Sequence, residues 1–312
     1  MKKKHLVVIL VILVISLLLY APPLFRSSDR GQATDGPTFR VRFEGTPTLV
    51  RVSNGATGDT IRLEQTDGRW WVNGHLADTA HVAATLAVLA SAMAMEIVAR
   101  NPANHARLSV TAESGRVVEI VTDSGDRASF YLGDRDLAAG GYFVRAMEEM
   151  EVYRLEGAVG GHLYRSLDGW RDMQIVRLPP EQVNALLIRR RDEEIRMFRG
   201  TDGWTIGDIS ADSAAVGMIL GMLSDLTSTG FPADSVAAAT DFDSPHAVLE
   251  VYGSEDLDGA EPLASLRFVA GEGRTEWLVA RSLDEEVFQL ADYRISQLLP
   301  DLATLLGTPP TP

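Results

Sequence analysis

An internal repeat constrains the fold of this 312-residue chain more than any other feature of its sequence. The run Ile61–Val72 (IRLEQTDGRWWV) returns as Ile195–Ile206 (IRMFRGTDGWTI), and later matches keep an offset of about 134 to 135 residues. These later matches join Ala77-Asp78 to Ala211-Asp212, Tyr142–Val144 to Trp277–Val279, and Val152–Leu155 to Val287–Leu290. Self-similarity at one spacing over several segments indicates a duplicated structural unit. The sequence therefore predicts two similar modules in tandem.

The order of elements is predicted to be the same in each copy. A Thr-Asp-Gly turn between segments of alternating polarity predicts a hairpin whose second strand contains Trp70. Asp78, like Asp212 in the second copy, precedes an alanine- and leucine-rich segment, where its carboxylate is placed to cap a helix. Apolar residues spaced by three and four predict the buried face of that helix: Val82, Leu86, Leu89 and Met93.

Apolar segments after the first helix predict a run of antiparallel strands at Val117–Val121, Ala128–Leu132, Gly141–Val144 and Val152–Leu155. The predicted fold class is α+β: an N-terminal transmembrane helix followed by two tandem repeated modules, each an antiparallel sheet with a packed helix. The predicted divisions are cytoplasmic lysines and a transmembrane anchor (1–25), a flexible tether (26–38), the first module (39–165), an inter-module joint (166–182), the second module (183–306) and a disordered tail (307–312).

The N-terminal run Leu6–Tyr20 contains no charged residue and follows lysines at positions 2 to 4. Extended to Phe25, it provides roughly the 20 apolar residues that cross a bilayer. Leu19, Tyr20 and Pro22 surround the only small residue near a cleavage position, Ala21, so we expect an uncleaved anchor, with a cleaved signal peptide as the alternative. The lysines orient the N-terminus to the cytoplasm. This predicts a single-pass protein of the cell inner membrane with a periplasmic or extracytoplasmic body.

The body after the anchor is strongly acidic and lacks lysine. Of the 29 basic residues, three are the N-terminal lysines, which leaves 26 arginines against 43 acids and a net charge of −17. Such a charge argues against a nucleic-acid partner and against a body that lies flat on anionic lipid. The chain has no cysteine, which excludes disulfides.

The residues that carry enzyme or metal chemistry elsewhere form no recognisable pattern here. No phosphate-binding loop, dinucleotide fingerprint, zinc-protease motif or serine-nucleophile motif occurs, so the sequence predicts no catalytic residues, no cofactor and no metal. His75 and His81 flank the start of the first helix and are interpreted as surface or turn residues. Two acidic clusters occupy matching positions and are interpreted as solvated hairpin turns, with a cation site as the alternative; they are Glu148, Glu149 and Glu151, and Asp284, Glu285 and Glu286.

The candidate functional residues lie between the two copies. Trp70 or Trp71 recurs as Trp204, and Tyr142 as Trp277, which is typical of core anchors, whereas Trp170 has no counterpart. An arginine–aspartate pair and aromatic residues there predict contacts that fix the modules relative to each other, with partner binding as the alternative role. The candidate site residues are Tyr164, Arg165, Trp170, Arg171 and Asp172.

The order of these motifs, from Thr-Asp-Gly-Trp through the Ala-Asp helix start to Trp170-Arg171-Asp172, resembles the "domain of unknown function 4340" family over roughly residues 40–300. Members are often encoded beside gliding-motility-type ABC transporter subunits. The resemblance therefore implies an envelope accessory of such a transporter, and it supplies no catalytic residue.

Three functions remain in view. The first is a non-enzymatic extracytoplasmic accessory or scaffold subunit of a membrane complex, with ABC transporter permease subunits as partner. The alternative is an envelope binding module for a peptide, glycan or lipid, which requires exposed aromatics in a cleft. The third is an envelope hydrolase, which requires a catalytic constellation assembled by folding.

Overall fold

The computed structural model describes residues 38–39, 41–91, 93–257, 259–271, 275–282 and 286–307. The predicted anchor, all of the predicted tether except Thr38, and the predicted tail except Gly307 lie outside the described residues. Within the described part of the chain, no helix is both long enough and apolar enough to span a membrane.

Two large antiparallel sheets dominate the structure. The first comprises β1 (Thr38–Phe39), β2 (Pro47–Asn54), β3 (Thr60–Thr66), β4 (Arg69–Val72), β5 (His75–Leu76), β6 (Met93–Ala99), β7 (Arg116–Thr122), β8 (Arg127–Arg135), β9 (Tyr142–Ala146) and β10 (Val152–Leu155). The second comprises β12 (Ala185–Arg190), β13 (Glu193–Gly200), β14 (Gly203–Ile206), β15 (Ile209–Ser210), β17 (Ala247–Tyr252), β18 (Ala264–Ala270), β19 (Glu276–Arg281) and β20 (Val287–Ala291). A separate two-stranded ribbon pairs β11 (Gln174–Val176) with β16 (Leu226–Thr227).

The helices are few and short. They are α1 (Thr79–Ala90), α2 (Val159–Leu163), α3 (Ser213–Ser224), α4 (Asp234–Ala239), α5 (Asp292–Leu298) and α6 (Leu302–Leu305), with single 3₁₀ turns at Pro102–Asn104 and Pro180–Gln182. The predicted sheet-rich α+β class is confirmed.

Strand order is the same in both sheets. The first sheet runs β1-β6-β10-β9-β8-β7-β2-β3-β4-β5, and the second, read in the same direction, runs β20-β19-β18-β17-β12-β13-β14-β15. Each strand from β20 to β15 thus occupies the place of a strand from β10 to β5. Where β6 flanks β10 in the first sheet, the second sheet has an isolated bridge from Gly230 to Gln289 of β20. The repeat in the sequence therefore corresponds to a repeat in topology.

Matching aspartates cap the two long helices. Asp78 Oδ1 accepts a hydrogen bond from the backbone N–H of His81 at 3.0 Å, and Asp212 Oδ1 accepts one from Ala215 at 2.8 Å. Each carboxylate satisfies a backbone donor of the first turn that has no partner within the helix. The prediction that Met93 belongs to the first helix is wrong. The helix ends at Ala90 because the backbone turns extended at Ser91 (φ −76°, ψ 155°), and Met93 opens β6.

Each sheet buries one face against its helices and has its own core. In the first module, Val82 and Leu89 of α1 pack with buried strand residues such as Phe130. In the second, Val216 and Leu223 of α3 occupy the same relation to that module's sheet. The first core includes Trp170, which comes from the segment that leaves the first module.

Candidate functional site at the inter-module joint

The segment between the modules is hydrogen-bonded to both of them. On the first-module side, the backbone N–H of Asp78 donates to the carbonyl of Trp170 at 2.8 Å, and that of Asp172 donates to the carbonyl of Leu76 at 2.9 Å. Arg171, between these two contacts, forms a bridge with Ala77. The chain then enters β11, which pairs with β16 immediately after α3. One short segment therefore adds backbone pairing to each module in turn.

The side chain of Arg171 lies at the centre of this joint and is 5% exposed. Its guanidinium donates to a carboxylate oxygen of Glu286, which lies directly before β20 of the second sheet. A second nitrogen lies 3.4 Å from Asp168 Oδ1, and the guanidinium carbon lies 3.6 Å from the ring centroid of Phe231. A buried arginine needs such compensation because taking its charge out of water is costly. Arg171 thus couples the first module to two separate parts of the second.

His75 adds a second contact across the joint. Its Nδ1 lies 3.3 Å from Glu286 Oε2, and its Nε2 lies 3.9 Å from Asp234 Oδ1 on α4. His75 belongs to β5, the edge strand of the first sheet, whereas both carboxylates belong to the second module. Glu286 therefore contacts two side chains of the first module, Arg171 and His75. These three residues are called the clamp.

Three of the predicted site residues lie within the first module. Trp170 is 1% exposed and belongs to that module's core. The guanidinium carbon of Arg165 lies 5.8 Å from the Trp170 ring centroid. Tyr164 packs on Tyr142, with ring centroids 5.4 Å apart, and donates its hydroxyl to the carbonyl of Gly133 at 2.8 Å. Burial, with the charge of Asp134 adding to it, raises the pKa of Tyr164.

The predicted pairing within the joint differs from the observed one. Asp172 Oδ1 accepts a hydrogen bond from the backbone N–H of Gln174 at 3.0 Å, which organises the entry to β11. Arg171 instead binds Asp168 and Glu286. Neighbours in an extended segment point to opposite sides, so Arg171 and Asp172 face different surroundings.

Two residues of the clamp were not predicted as site residues. Glu286 was interpreted as part of a solvated hairpin turn, and that interpretation is wrong because its side chain is only 12% exposed and meets Arg171. His75 was interpreted as a surface or turn residue, whereas its side chain is 23% exposed and faces the second module. His75 carries one signal, since it lies beside repeated segments and the second copy has no histidine at the matching place, whereas Glu286 matches Glu151. Asp284 and Glu285, the other members of that acidic cluster, lie outside the described residues.

Comparison with known proteins gives the family. One family model, described as a domain of unknown function (DUF4340), matches residues 70–245, which is more than half of the chain. The chain belongs to the DUF4340 family. The resemblance found from the order of sequence motifs is therefore confirmed. No curated protein and no solved structure matches the chain.

The DUF4340 match begins at Trp70 in β4 and ends at Pro245, two residues before β17. It therefore contains the first module from β4 onwards, the whole joint segment and the second module as far as α4. Arg171 and His75 fall inside the matched region, whereas Glu286 falls outside it.

The tryptophans of this DUF4340 protein are mostly core residues. Trp70 and Trp170 belong to the first core, and Trp204 and Trp277 pack against the second. Trp71 is half-buried and lines an open depression of about 500 Å³ beside Arg69 and Asp67. Among the described residues, no group of three histidine, aspartate or glutamate side chains is placed to hold a metal ion. Four of the five tryptophans therefore lie in a core or pack against one.

Proposed function

We propose that this DUF4340 protein is a non-enzymatic extracytoplasmic accessory subunit of a membrane complex, anchored in the cell inner membrane, with ABC transporter permease subunits as its partner. The observation that carries the proposal is the contact of Arg171 with Glu286, which joins two similar modules through a buried ion pair. Domains of one chain move relative to each other by default unless the interface prevents it. A scaffold needs modules that do not move relative to each other, because its binding surfaces must keep a constant separation.

The sequence supports the membrane location in this proposal. The uncharged run Leu6–Tyr20 behind three lysines is typical of a membrane anchor, and the short tether keeps the body close to proteins of the same membrane. The net charge of −17 on the body opposes adsorption to anionic lipid, which favours a protein partner over the lipid surface itself.

Affinity purification of the tagged full-length chain from gently solubilised membranes tests the proposal. We expect permease subunits of one ABC transporter to be recovered in a constant ratio to the chain, and not with an unrelated single-pass protein carrying the same tag. The variant Glu286→Gln should recover less permease while remaining in the membrane. The matched variant Asp225→Asn alters an exposed ion pair with Arg177 and should recover as much permease as the original chain. Recovery of the chain without any permease contradicts the proposal.

A further inference from the structure

Trp71 is the tryptophan that lies outside both large cores. It alternates along β4 with Trp70 and Val72, which are buried in the first core, so its ring lies on the opposite face of the first sheet. On that face it stands directly across from Glu64 of β3. The matching place in the second copy holds Thr205. The repeated architecture therefore does not account for an aromatic ring at this position.

A row of paired residues extends from Trp71 across five neighbouring strands. One residue of each strand contributes, in the order Trp71, Glu64, Leu49, Val121 and Arg127. At about 4.8 Å between strands, the row is about 19 Å long. Depressions of about 500 Å³ and about 400 Å³ follow this row, and both have Glu64 in their walls. The face therefore carries one shallow groove that runs across the strands, with half-buried Leu49 and Val121 in its floor.

The charges along the groove are balanced, although the body as a whole is strongly acidic. Arg62 donates to Glu64 Oε2 at 2.5 Å, and Arg51 donates to Glu119 Oε2 at 2.8 Å. Within the described residues, the Oε1 atom of each of these carboxylates accepts no hydrogen bond. The carboxylates are 36% and 40% exposed. The groove thus offers positioned hydrogen-bond acceptors without a local excess of charge.

This combination of groups selects a class of ligand. We propose that the groove binds a flat, neutral polysaccharide chain, with one sugar ring on the indole of Trp71 and sugar hydroxyls bonded to Glu64 and Glu119. The face of an indole ring is apolar and carries partial negative charge, which suits the C–H face of a sugar. An apolar peptide would instead cover the two ion pairs without donors for their free oxygens, which is costly. The proposal does not depend on the proposed transporter function.

The surroundings of Trp71 differ from the corresponding face of the second module. There Leu257 and Ala260, from the segment between β17 and β18, pack over Leu187 and Tyr252. In the first sheet, β1 lies eight strands away from β4, which corresponds to about 38 Å. The Trp71 end of the groove is therefore remote from the place where the described chain begins.

Calorimetric titration of the full-length chain with chitohexaose and cellohexaose tests the proposal, in a detergent that has no sugar headgroup. We expect at least one of these flat, neutral chains to bind, and Trp71→Ala to weaken its binding about tenfold because the stacking surface is lost. The matched control is Thr205→Ala, at the corresponding place of the second sheet, which should bind as the original chain does. Failure of both sugars to bind would overturn the proposal, as would equal affinity in Trp71→Ala.

A second variant tests whether one ligand spans the groove. Glu119 lies three strands from Trp71, so Glu119→Gln should weaken the binding of the long chain about three- to tenfold. It should hardly affect stability, because its pair with Arg51 is partly exposed, and thermal unfolding checks that each variant is folded. Unchanged binding in folded Glu119→Gln would contradict a ligand of this length. If peptides of a casein hydrolysate bound through Trp71 and neither sugar did, the groove would be a peptide site and the proposal would be refuted.

Discussion

Arg171 and Glu286 are 115 residues apart in the chain, yet the guanidinium of one donates to the carboxylate of the other across the inter-module joint. Arg171 lies where the chain leaves the first module, bridged to Ala77 directly after β5, and Glu286 directly precedes β20, the last strand of the second sheet in the sequence. The contact is made by long-range folding and depends on both modules being complete. It is one of the contacts through which the stability of one module can depend on the other.

Replacing Glu286 tests the joint most directly. Glu286→Gln should lower the free energy of unfolding by about 3 kcal/mol, because it leaves the buried guanidinium of Arg171 without its buried counter-charge. Urea unfolding followed by circular dichroism measures this loss. The control Asp225→Asn alters a pair whose side chains are 69% and 64% exposed, and it should cost less than about 1 kcal/mol. Similar losses in the two variants would show that Glu286 does not couple the modules.

The two helix caps should contribute equally. Asp78→Ala and Asp212→Ala should each lower the free energy of unfolding by about 1 kcal/mol, since each leaves a first-turn N–H without its acceptor. Asparagine also accepts this hydrogen bond, so Asp78→Asn and Asp212→Asn should restore most of the stability. Thermal unfolding of the four variants provides the comparison. A loss in the asparagine variants equal to that in the alanine variants would rule out capping as the cause.

The stability of the first module should depend on pH through His162. Burial, followed by the charges of Arg165 and His81, lowers the pKa of His162. The folded protein therefore binds this proton less readily than the unfolded chain, whose histidine pKa is about 6.5. The contribution to stability is complete above that value and is lost as pH falls below it towards the lower folded pKa. Urea unfolding between about pH 7.5 and 5.5 should show this decline, and it should be smaller in His162→Gln. An identical decline in the variant would assign the effect to other groups.

Two adjacent glycines of α2 should respond in opposite directions to the same substitution. A Cβ on Gly160 would overlap the ring of Tyr142, so Gly160→Ala should destabilise the protein by about 1–3 kcal/mol. A Cβ on Gly161 would meet no atom within 4 Å, so Gly161→Ala should stabilise it by up to about 1 kcal/mol. Thermal unfolding of the two variants measures both changes. A gain in both variants would mean that Tyr142 moves aside at little cost.

Local patterns predicted much of this fold because they act over a few residues. Asp78 and Asp212 mark both helix starts, since a cap depends only on the residues of the next turn. The end of the first helix was misplaced because Met93 continues the apolar spacing, although the backbone has already turned extended at Ser91. Periodicity describes which side chains can be buried together and does not fix where a helix stops.

Arg171 was among the residues predicted for the joint, whereas its partner Glu286 was not. The sequence predicted an arginine–aspartate pair in the joint, whereas Arg171 also binds Glu286 of the other module and Asp172 accepts a hydrogen bond from the backbone of Gln174. No pattern in a single sequence links residues separated by an entire sheet. The repeat also concealed Glu286, because its match to the acidic cluster at Glu148 suggested a turn exposed to water.

The joint segment has a mechanical consequence. Between Trp170 and Val176 it is held by backbone hydrogen bonds to the edge of the first sheet and then by pairing to β16. A force that pulls the modules apart must load both sets of bonds, together with the clamp at Arg171, before either module separates. Tension applied to one module is therefore carried to the other through the joint, and the two modules move together until these contacts break.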